Sequence, residues 1–281
     1  MADLLDPRTI RNLAAELDLR PTKQRGQNFV HDANTVRRIV AASGITPDDV
    51  VLEVGPGLGS LTLGLLDIAR HVTVVEIESA LARRLARTVD QRAPEASGRL
   101  TVIEADALAV DDLPDPQPTA LVANLPYNVS VPVLLHALER FDTLARGLVM
   151  VQLEVADRLV AKPGSKVYGV PSVKLAWYAS SARIGTVPPK VFWPVPNVDS
   201  GLVSLTRHAP PNTTASRQQV FAVVDAAFAQ RRKMLRGALS GLFGGSAATT
   251  AALERAGVDP QARGEVLTID DFVRIAEQLP A

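Results

Sequence analysis

The chain of 281 residues contains no cysteine and only four histidines. The absence of cysteine excludes disulfides, thiolate metal sites and a cysteine nucleophile, and it is typical of proteins in a reducing cytoplasm. The histidines, at positions 31, 71, 136 and 208, are scattered without the spacing of metal ligands, so we predict no metal site.

The chain also lacks net charge and long apolar runs. Lys plus Arg and Asp plus Glu each number 30, so a nucleic-acid partner would have to be met by local basic patches. No apolar run reaches the length that a bilayer requires, and the first residues do not resemble a signal peptide. We therefore expect a cytoplasmic protein without a membrane partner.

From residue 50 onwards, short apolar runs alternate with helical periodicities, which indicates βαβ units and a mostly parallel sheet covered on both faces. Two helices precede this region. After Arg207 the composition becomes turn-like and then purely helical. The predicted fold class is therefore α/β with a small all-helical C-terminal domain, divided into residues 1–208 and 209–281. The runs that we expect to form strands are 50–54, 72–77, 100–103, 120–123, 148–153, 172–180 and 201–206.

A glycine-rich turn follows the first of these runs, in the sequence VLEVGPGLG at 51–59. Gly55 and Gly57 would let the backbone approach a ligand closely and adopt positive φ angles. Glu76 ends the next run, where such folds bind ribose hydroxyls, and Asp106 follows the third, where a carboxylate can accept an adenine amino proton. Each acid alone is equally explained as a surface or capping carboxylate. Together with the turn they indicate a nucleotide-containing ligand.

NAD and S-adenosylmethionine both suit this pattern. We place Glu53 inside the loop, where its charge would repel the pyrophosphate of a dinucleotide. The same charge would suit the cationic methionine part of S-adenosylmethionine, so this argument favours the methyl donor.

The segment Asn124-Leu125-Pro126-Tyr127 lies just past the end of another apolar run. An amide oxygen and a backbone carbonyl can accept both protons of an exocyclic amine, while a tyrosine ring can stack on the base. The alternative is an ordinary strand-to-helix turn. Together with the nucleotide pattern, the segment favours a site for a planar ring that carries an amine.

Several segments, in the expected order, resemble the ribosomal RNA adenine N6,N6-dimethyltransferases, which are Rossmann-like, S-adenosylmethionine-dependent enzymes with a seven-stranded sheet. Within this family, the chain most resembles the bacterial enzyme that dimethylates two adjacent adenosines near the 3′ end of small-subunit (16S) ribosomal RNA. The matching positions are 26–30 (GQNFV), 52–59, Glu76, Asp106, 124–130 (NLPYNVS), 191–200 (VFWPVPNVDS) and 228–236 (FAQRRKMLR).

The resemblance implies roles for individual residues. Val30 departs mildly from the family, where leucine is common, and Trp193 follows Phe192 where a small or polar residue is frequent. The residues that would hold the donor are Asn28, Val30, Gly55, Gly57, Glu76, Asp106 and Asn124. The residues that would hold the target base and promote catalysis are Asn124, Leu125, Pro126, Tyr127 and Phe192.

The resulting hypothesis is that the Asn124 oxygen and the Leu125 carbonyl accept the two N6 protons, so that alignment and electrostatics supply most of the acceleration. Tyr127 and Phe192 would stack on the two faces of a flipped base. We expect Tyr127 to act through its ring rather than its hydroxyl. We also expect Phe192 at the surface, because prolines flank it in a stiff loop.

Two basic clusters are candidate RNA contacts. Lys23 and Arg25 form one; Lys233 and Arg236 belong to the other, on a predicted helix that would turn Arg232 towards the apolar face. A solvated helix with one paired arginine explains the second cluster as well.

The resemblance implies small-subunit ribosomal RNA as partner, within an immature 30S particle, and we expect a monomer. Two alternatives stay open: a large-subunit ribosomal RNA adenine methyltransferase of the antibiotic-resistance type, and a largely non-catalytic RNA-binding assembly factor.

Overall fold

The structure, a computed structural model, describes residues 2–19 and 28–280. Helix α1 (Pro7–Glu16) begins after Asp6, whose carboxylate accepts the Thr9 amide. Helix α2 (Ala33–Ser43) ends at Gly44, which adopts a left-handed conformation with φ 64°. An aspartate before a helix and a glycine at its end are common capping residues. A short strand, β1 (Phe29–Val30), lies between them.

The sheet has seven strands in the order β4-β3-β2-β5-β6-β9-β7. Strands β2 to β6 are parallel, whereas β9 is antiparallel to β6, which confirms a mostly parallel sheet. All five residues of β2 are buried, because helices cover both faces of such a sheet. The strands are β2 (Val50–Val54), β3 (His71–Glu76), β4 (Leu100–Glu104), β5 (Ala120–Asn124), β6 (Arg146–Gln152), β7 (Ala179–Val187) and β9 (Ser200–Arg207).

A second sheet consists of β1 and β8 (Phe192–Trp193), which pair antiparallel. No helix in the described ranges is long and apolar enough to cross a membrane. The remaining helices are α3 (Ser60–Leu66), α4 (Ser79–Arg92), α5 (Ser130–Arg140), α6 (Leu153–Leu159), α7 (Val170–Ala176), α8 (Arg217–Ala229), α9 (Leu235–Ala238), α10 (Ser240–Phe243), α11 (Ser246–Arg255) and α12 (Ile269–Ala276).

One predicted strand, at 172–180, is partly wrong. Its first half belongs to α7, and the strand begins only at Ala179. Pro171, in the first turn of α7, favours a helix start. A short apolar run does not separate a buried helix from a strand by periodicity, which explains the error.

The chain forms two compact units, Met1–Ala156 with Ala182–Arg207, and Asp157–Ser181 with His208–Ala281. Beyond residue 208 the described chain contains helices and no strand. The segment Asp157–Ser181 differs from the predicted division, because it groups with the second unit. Within that unit the Tyr168 hydroxyl donates to the Leu267 carbonyl at 2.7 Å, a long-range contact that no local pattern announces.

Candidate active site

The glycine turn after β2 requires glycine for two physical reasons. Gly55 and Gly57 have φ angles of 70° and 57°, which side chains disfavour. A Cβ atom added to Gly57 would lie 2.6 Å from the Phe29 ring. The turn and β1 are therefore packed in direct contact, and the turn leads into α3.

A pocket of about 370 Å³ opens beside this turn, at the carboxyl ends of the parallel strands. That is where open α/β sheets bind their ligands. The structure brings together there every residue that was predicted to hold the donor, and the binding role of each stays a prediction. These lining residues are Asn28, Val30, Gly55, Gly57, Glu76, Asp106 and Asn124.

Glu76 is held in place by the backbone around it. Its Oε2 atom accepts the Gly57 amide at 3.1 Å, and its Oε1 atom accepts the Glu78 amide at 3.0 Å. Burial raises the pKa of this carboxyl, and the two amides oppose that rise. Carboxylate oxygens have further lone pairs, so Glu76 can still accept ribose hydroxyls.

Asp106 is exposed, and its Oδ1 atom accepts the Leu108 amide at 2.9 Å. This bond orients the carboxylate within a turn, and its second oxygen is suited to an adenine amine. Sequence reasoning missed two apolar neighbours of these acids, Ile77 and Leu108, which line the pocket with exposures of 64% and 39%. Large apolar side chains left open in a pocket suit the faces of a planar ring. Ile77 directly follows Glu76, and Leu108 lies two residues after Asp106. These positions beside the two acids could have identified both residues from the sequence.

The placement of Glu53 was wrong. It lies within β2 rather than in the loop, is buried, and accepts a hydrogen bond from the Thr62 hydroxyl at 2.6 Å. Burial, with a smaller contribution from nearby Glu76, raises the pKa of Glu53 to about 8. The group is mainly protonated at neutral pH, so it does not supply the negative charge on which the donor argument relied.

Asn124, the last residue of β5, offers a ready acceptor. Its Nδ2 atom donates to the Asn28 carbonyl at 3.0 Å, which fixes the orientation of the amide. Its Oδ1 atom is buried and has no hydrogen-bond partner among the residues that the structure describes. Buried oxygens are nearly always paired, so one that lines a pocket without a partner indicates a ligand with a donor group.

The next residues continue the site. The buried Leu125 donates its amide to the Met150 carbonyl, and the Pro126 carbonyl accepts the Val129 amide at 3.2 Å. Tyr127 is half-buried, which leaves part of its ring accessible. Its hydroxyl lies 2.7 Å from the Ser200 hydroxyl, so the structure adds a polar contact to the ring-only role that the sequence predicted.

The predicted surface position of Phe192 is wrong. The side chain is fully buried, and the residue pairs with Val30 across the β1–β8 sheet. In this structure the ring therefore offers no accessible face to a base. Its neighbour Trp193 stacks on Phe29 at 6.4 Å between ring centroids. Three consecutive apolar residues at 191–193, within the proline-rich loop, could have indicated that this part of the loop packs into the core.

The basic clusters are described only in part. Lys23 and Arg25 lie outside the described residues. Lys233 and Arg236 are exposed.

The prediction that Lys233 and Arg236 lie on one continuous helix is wrong, because α8 ends at Ala229 and α9 begins at Leu235. Arg232 is exposed, and Arg231 takes the structural role instead. Its Nε atom donates to Glu265 at 3.1 Å, and its guanidinium also donates to the Lys166 carbonyl at 2.7 Å.

Known proteins are similar to this chain along nearly all of its length. The sequence matches the family described as ribosomal RNA adenine dimethylase over residues 19–280. It is 63% identical over 279 residues to the ribosomal RNA small subunit methyltransferase A of Thermobifida fusca, covering 99% of this chain and 97% of the relative. The protein of the same name from Streptomyces griseus is 64% identical over 278 residues, covering 99% and 96%.

Two solved structures share the fold. A dimethyladenosine transferase from Plasmodium falciparum superposes with a TM-score of 0.73 at 22% identity, covering 88% of this chain and 95% of that one. The 23S rRNA methyltransferase ErmE superposes with a TM-score of 0.65 at 29% identity, covering 90% and 99%.

Proposed function

Because the chain belongs to the ribosomal RNA adenine dimethylase family, we propose that it methylates N6 of two adjacent adenosines near the 3′ end of small-subunit ribosomal RNA. Relatives above 60% identity that carry the small-subunit name support the choice of RNA. The observation that carries the chemistry is the buried, unpartnered Asn124 oxygen at the pocket.

The residues around the pocket fit S-adenosylmethionine. Glu76 would accept the ribose hydroxyls, Asp106 the adenine amine, and Ile77 with Leu108 would cover the adenine ring. Gly57 keeps the backbone free of side chains beside Phe29. When bound, the donor supplies an electrophilic methyl group on a sulfonium.

The base site prepares N6 of adenine for attack. The lone pair of this nitrogen is delocalised into the ring, which makes it a poor nucleophile. Asn124 Oδ1 would accept one N6 proton and the Leu125 carbonyl the other, so that charge builds on the nitrogen and its lone pair leaves the ring plane. The Pro126 carbonyl already accepts the Val129 amide, which occupies one of its two lone pairs. Acceptors fixed in advance contribute through electrostatic preorganisation.

No strong general base is required, because the N6 proton becomes acidic once the nitrogen carries the new methyl group. The described residues that line the pocket include no histidine. Glu53 is an unsuitable shuttle, since it is buried and already bound by Thr62. We propose that the proton passes to water.

We further propose that the enzyme acts as a monomer in the cytoplasm, on RNA within an immature 30S particle, with Lys23, Arg25, Lys233 and Arg236 near phosphates. In bacteria, ribosomal subunits are assembled in that compartment.

The proposal is tested by mass spectrometry of ribosomal RNA from cells that lack this protein. Loss of N6,N6-dimethyladenosine from small-subunit RNA, restored by the parent gene but not by Asn124→Ala, is expected. Intact small-subunit modification in the deletion strain would contradict the assignment.

The similarity to ErmE favours one rival, a large-subunit adenine methyltransferase. Primer extension across both ribosomal RNAs separates the two, because a dimethylated adenine stops the polymerase. Stops lost only from the large-subunit RNA would establish the rival.

A further inference from the structure

Ser200 is a polar residue that the proposed reaction does not use. It begins β9 and is fully buried. Its hydroxyl lies 2.7 Å from the hydroxyl of Tyr127. Buried hydroxyls are nearly always hydrogen-bonded, and this one is bonded to a residue of the base site.

The sheet register shows what this bond spans. Asn124 of β5 pairs with Met150 of β6, and Ser200 pairs with Gln152 of the same strand. Strands β5 and β9 therefore flank β6, about 10 Å apart by the usual strand spacing. Tyr127 reaches across the end of β6, so its hydrogen bond connects the turn after β5 with the first residue of β9.

The backbone on both sides of Ser200 is fixed. The Leu153 amide donates to the Asp199 carbonyl at 2.9 Å. A Cβ atom added to Gly201 would clash with Ala156 Cβ, so the start of β9 packs directly on α6. Ser200 is therefore a rigid anchor for whatever its hydroxyl holds.

We propose that Ser200 is a positioning residue, which holds the Tyr127 hydroxyl and so fixes the place of the ring that stacks on the target adenine. This inference rests on the proposed function, in which Tyr127 offers its ring to the base. The first side-chain torsion of a tyrosine swings the whole ring, and a bond at the far end of the ring holds that torsion in one rotamer. Burial keeps the pKa of the Tyr127 phenol above its usual value, so the phenol remains a donor near neutral pH.

The test compares Ser200→Ala, Tyr127→Phe and the double variant in single-turnover methylation of an RNA substrate. Each single variant should slow methylation by about three- to tenfold, as expected for one hydrogen bond. The double variant should be no slower than the slower single, because both changes remove the same bond. The dissociation constant of S-adenosylmethionine should stay at the parent value, because neither residue lines the pocket.

The matched control is Ser204→Ala. Ser204 lies on the same strand, and its hydroxyl donates to the Ala182 carbonyl at 3.2 Å. This control should methylate at the parent rate. An RNA carrying 2-aminopurine at the target position adds a direct readout, because stacking quenches its fluorescence. Ser200→Ala should leave more of that fluorescence unquenched.

Parent-like rate and quenching in Ser200→Ala, or losses that multiply in the double variant, would overturn the inference. If Ser200→Ala does not fold, Tyr127→Phe removes the same bond from the half-exposed side and decides the question. Tyr127→Ala separates this failure from failure of the base site. A parent-like methylation rate in Tyr127→Ala would show that Tyr127 does not stack on the base at all. A large loss of rate in Tyr127→Ala together with a parent-like rate in Ser200→Ala would reject only the positioning role of Ser200.

Discussion

At the scale of single residues, Asn124 divides its amide between two tasks. The nitrogen donates to the Asn28 carbonyl, whereas the oxygen is buried and has no hydrogen-bond partner among the described residues. An alanine would remove the acceptor and also the hydrogen bond to the Asn28 carbonyl. The acceptor matters for the reacting base, whereas Asn28 is one of many residues around the donor.

Asn124→Ala should therefore lower single-turnover methylation by on the order of 10²–10³-fold, the usual cost of losing a preorganised polar group. Donor affinity, measured by calorimetry, should change by less than about tenfold, because the variant removes only one hydrogen bond to Asn28. Asn34→Ala on α2, which is exposed, is the matched control. A methylation rate close to that of the parent would remove Asn124 from catalysis.

Glu53 makes stability depend on pH. In the unfolded chain its pKa is near the usual 4.5, and in the folded protein it is about 8. Below the lower value both states are protonated. As pH rises between the two values, only the unfolded state ionises, so the free energy of unfolding falls.

Glu53→Gln keeps an acceptor for Thr62 and removes this titration. The stability of the variant relative to the parent should increase by on the order of 3 kcal/mol between pH 5 and pH 8. Urea unfolding at both pH values measures the difference. An equal difference at the two values would show that Glu53 ionises normally in the folded protein.

At the scale of elements, the glycine turn and the β1–β8 sheet form one packed unit. The Phe29 ring contacts the Gly57 position on one side and stacks on Trp193 on the other. A side chain at position 57 would therefore disturb β1 as well as the turn.

Gly57→Ala should weaken S-adenosylmethionine binding by at least about tenfold, since a left-handed residue with a Cβ costs roughly 1–2 kcal/mol and Phe29 must move as well. Calorimetry with the donor measures the loss. Gly98→Ala is the matched control, because an added Cβ meets nothing within 4 Å there. Unchanged affinity in Gly57→Ala would show that this part of the turn does not shape the pocket.

The positions of several site residues could be predicted from the sequence, whereas the burial of others could not. The glycine turn, Glu76, Asp106 and Asn124 were found from sequence because each sits at a strand end, where chain order alone brings them together. Burial was harder to predict. Glu53 and Phe192 are buried by contacts with residues distant in sequence, Thr62 and Val30.

At the scale of the whole molecule, zero net charge makes RNA binding depend on where the cations are. Arg231 is paired with Glu265, whereas Lys233 and Arg236 are exposed. The exposed pair is therefore better placed than Arg231 to meet phosphates.

The double variant Lys233→Ala with Arg236→Ala should weaken RNA binding and reduce the slope of log K against log salt by about 0.7 for each lost single-strand phosphate contact. Filter binding across a salt series measures the slope. Arg87→Ala, an exposed arginine on α4, should leave it unchanged. An unaltered slope in the double variant would exclude phosphate contacts at these positions.

The strand order has a consequence for synthesis of the protein on the ribosome. β9 is the last strand made, yet it lies between β6 and β7. Until it emerges, the earlier strands expose unpaired edges, which are templates for pairing with other chains. The edge of β6 must therefore stay unpaired until β9 has been made, and the Tyr127 hydroxyl has no partner on β9 before Ser200 has been translated.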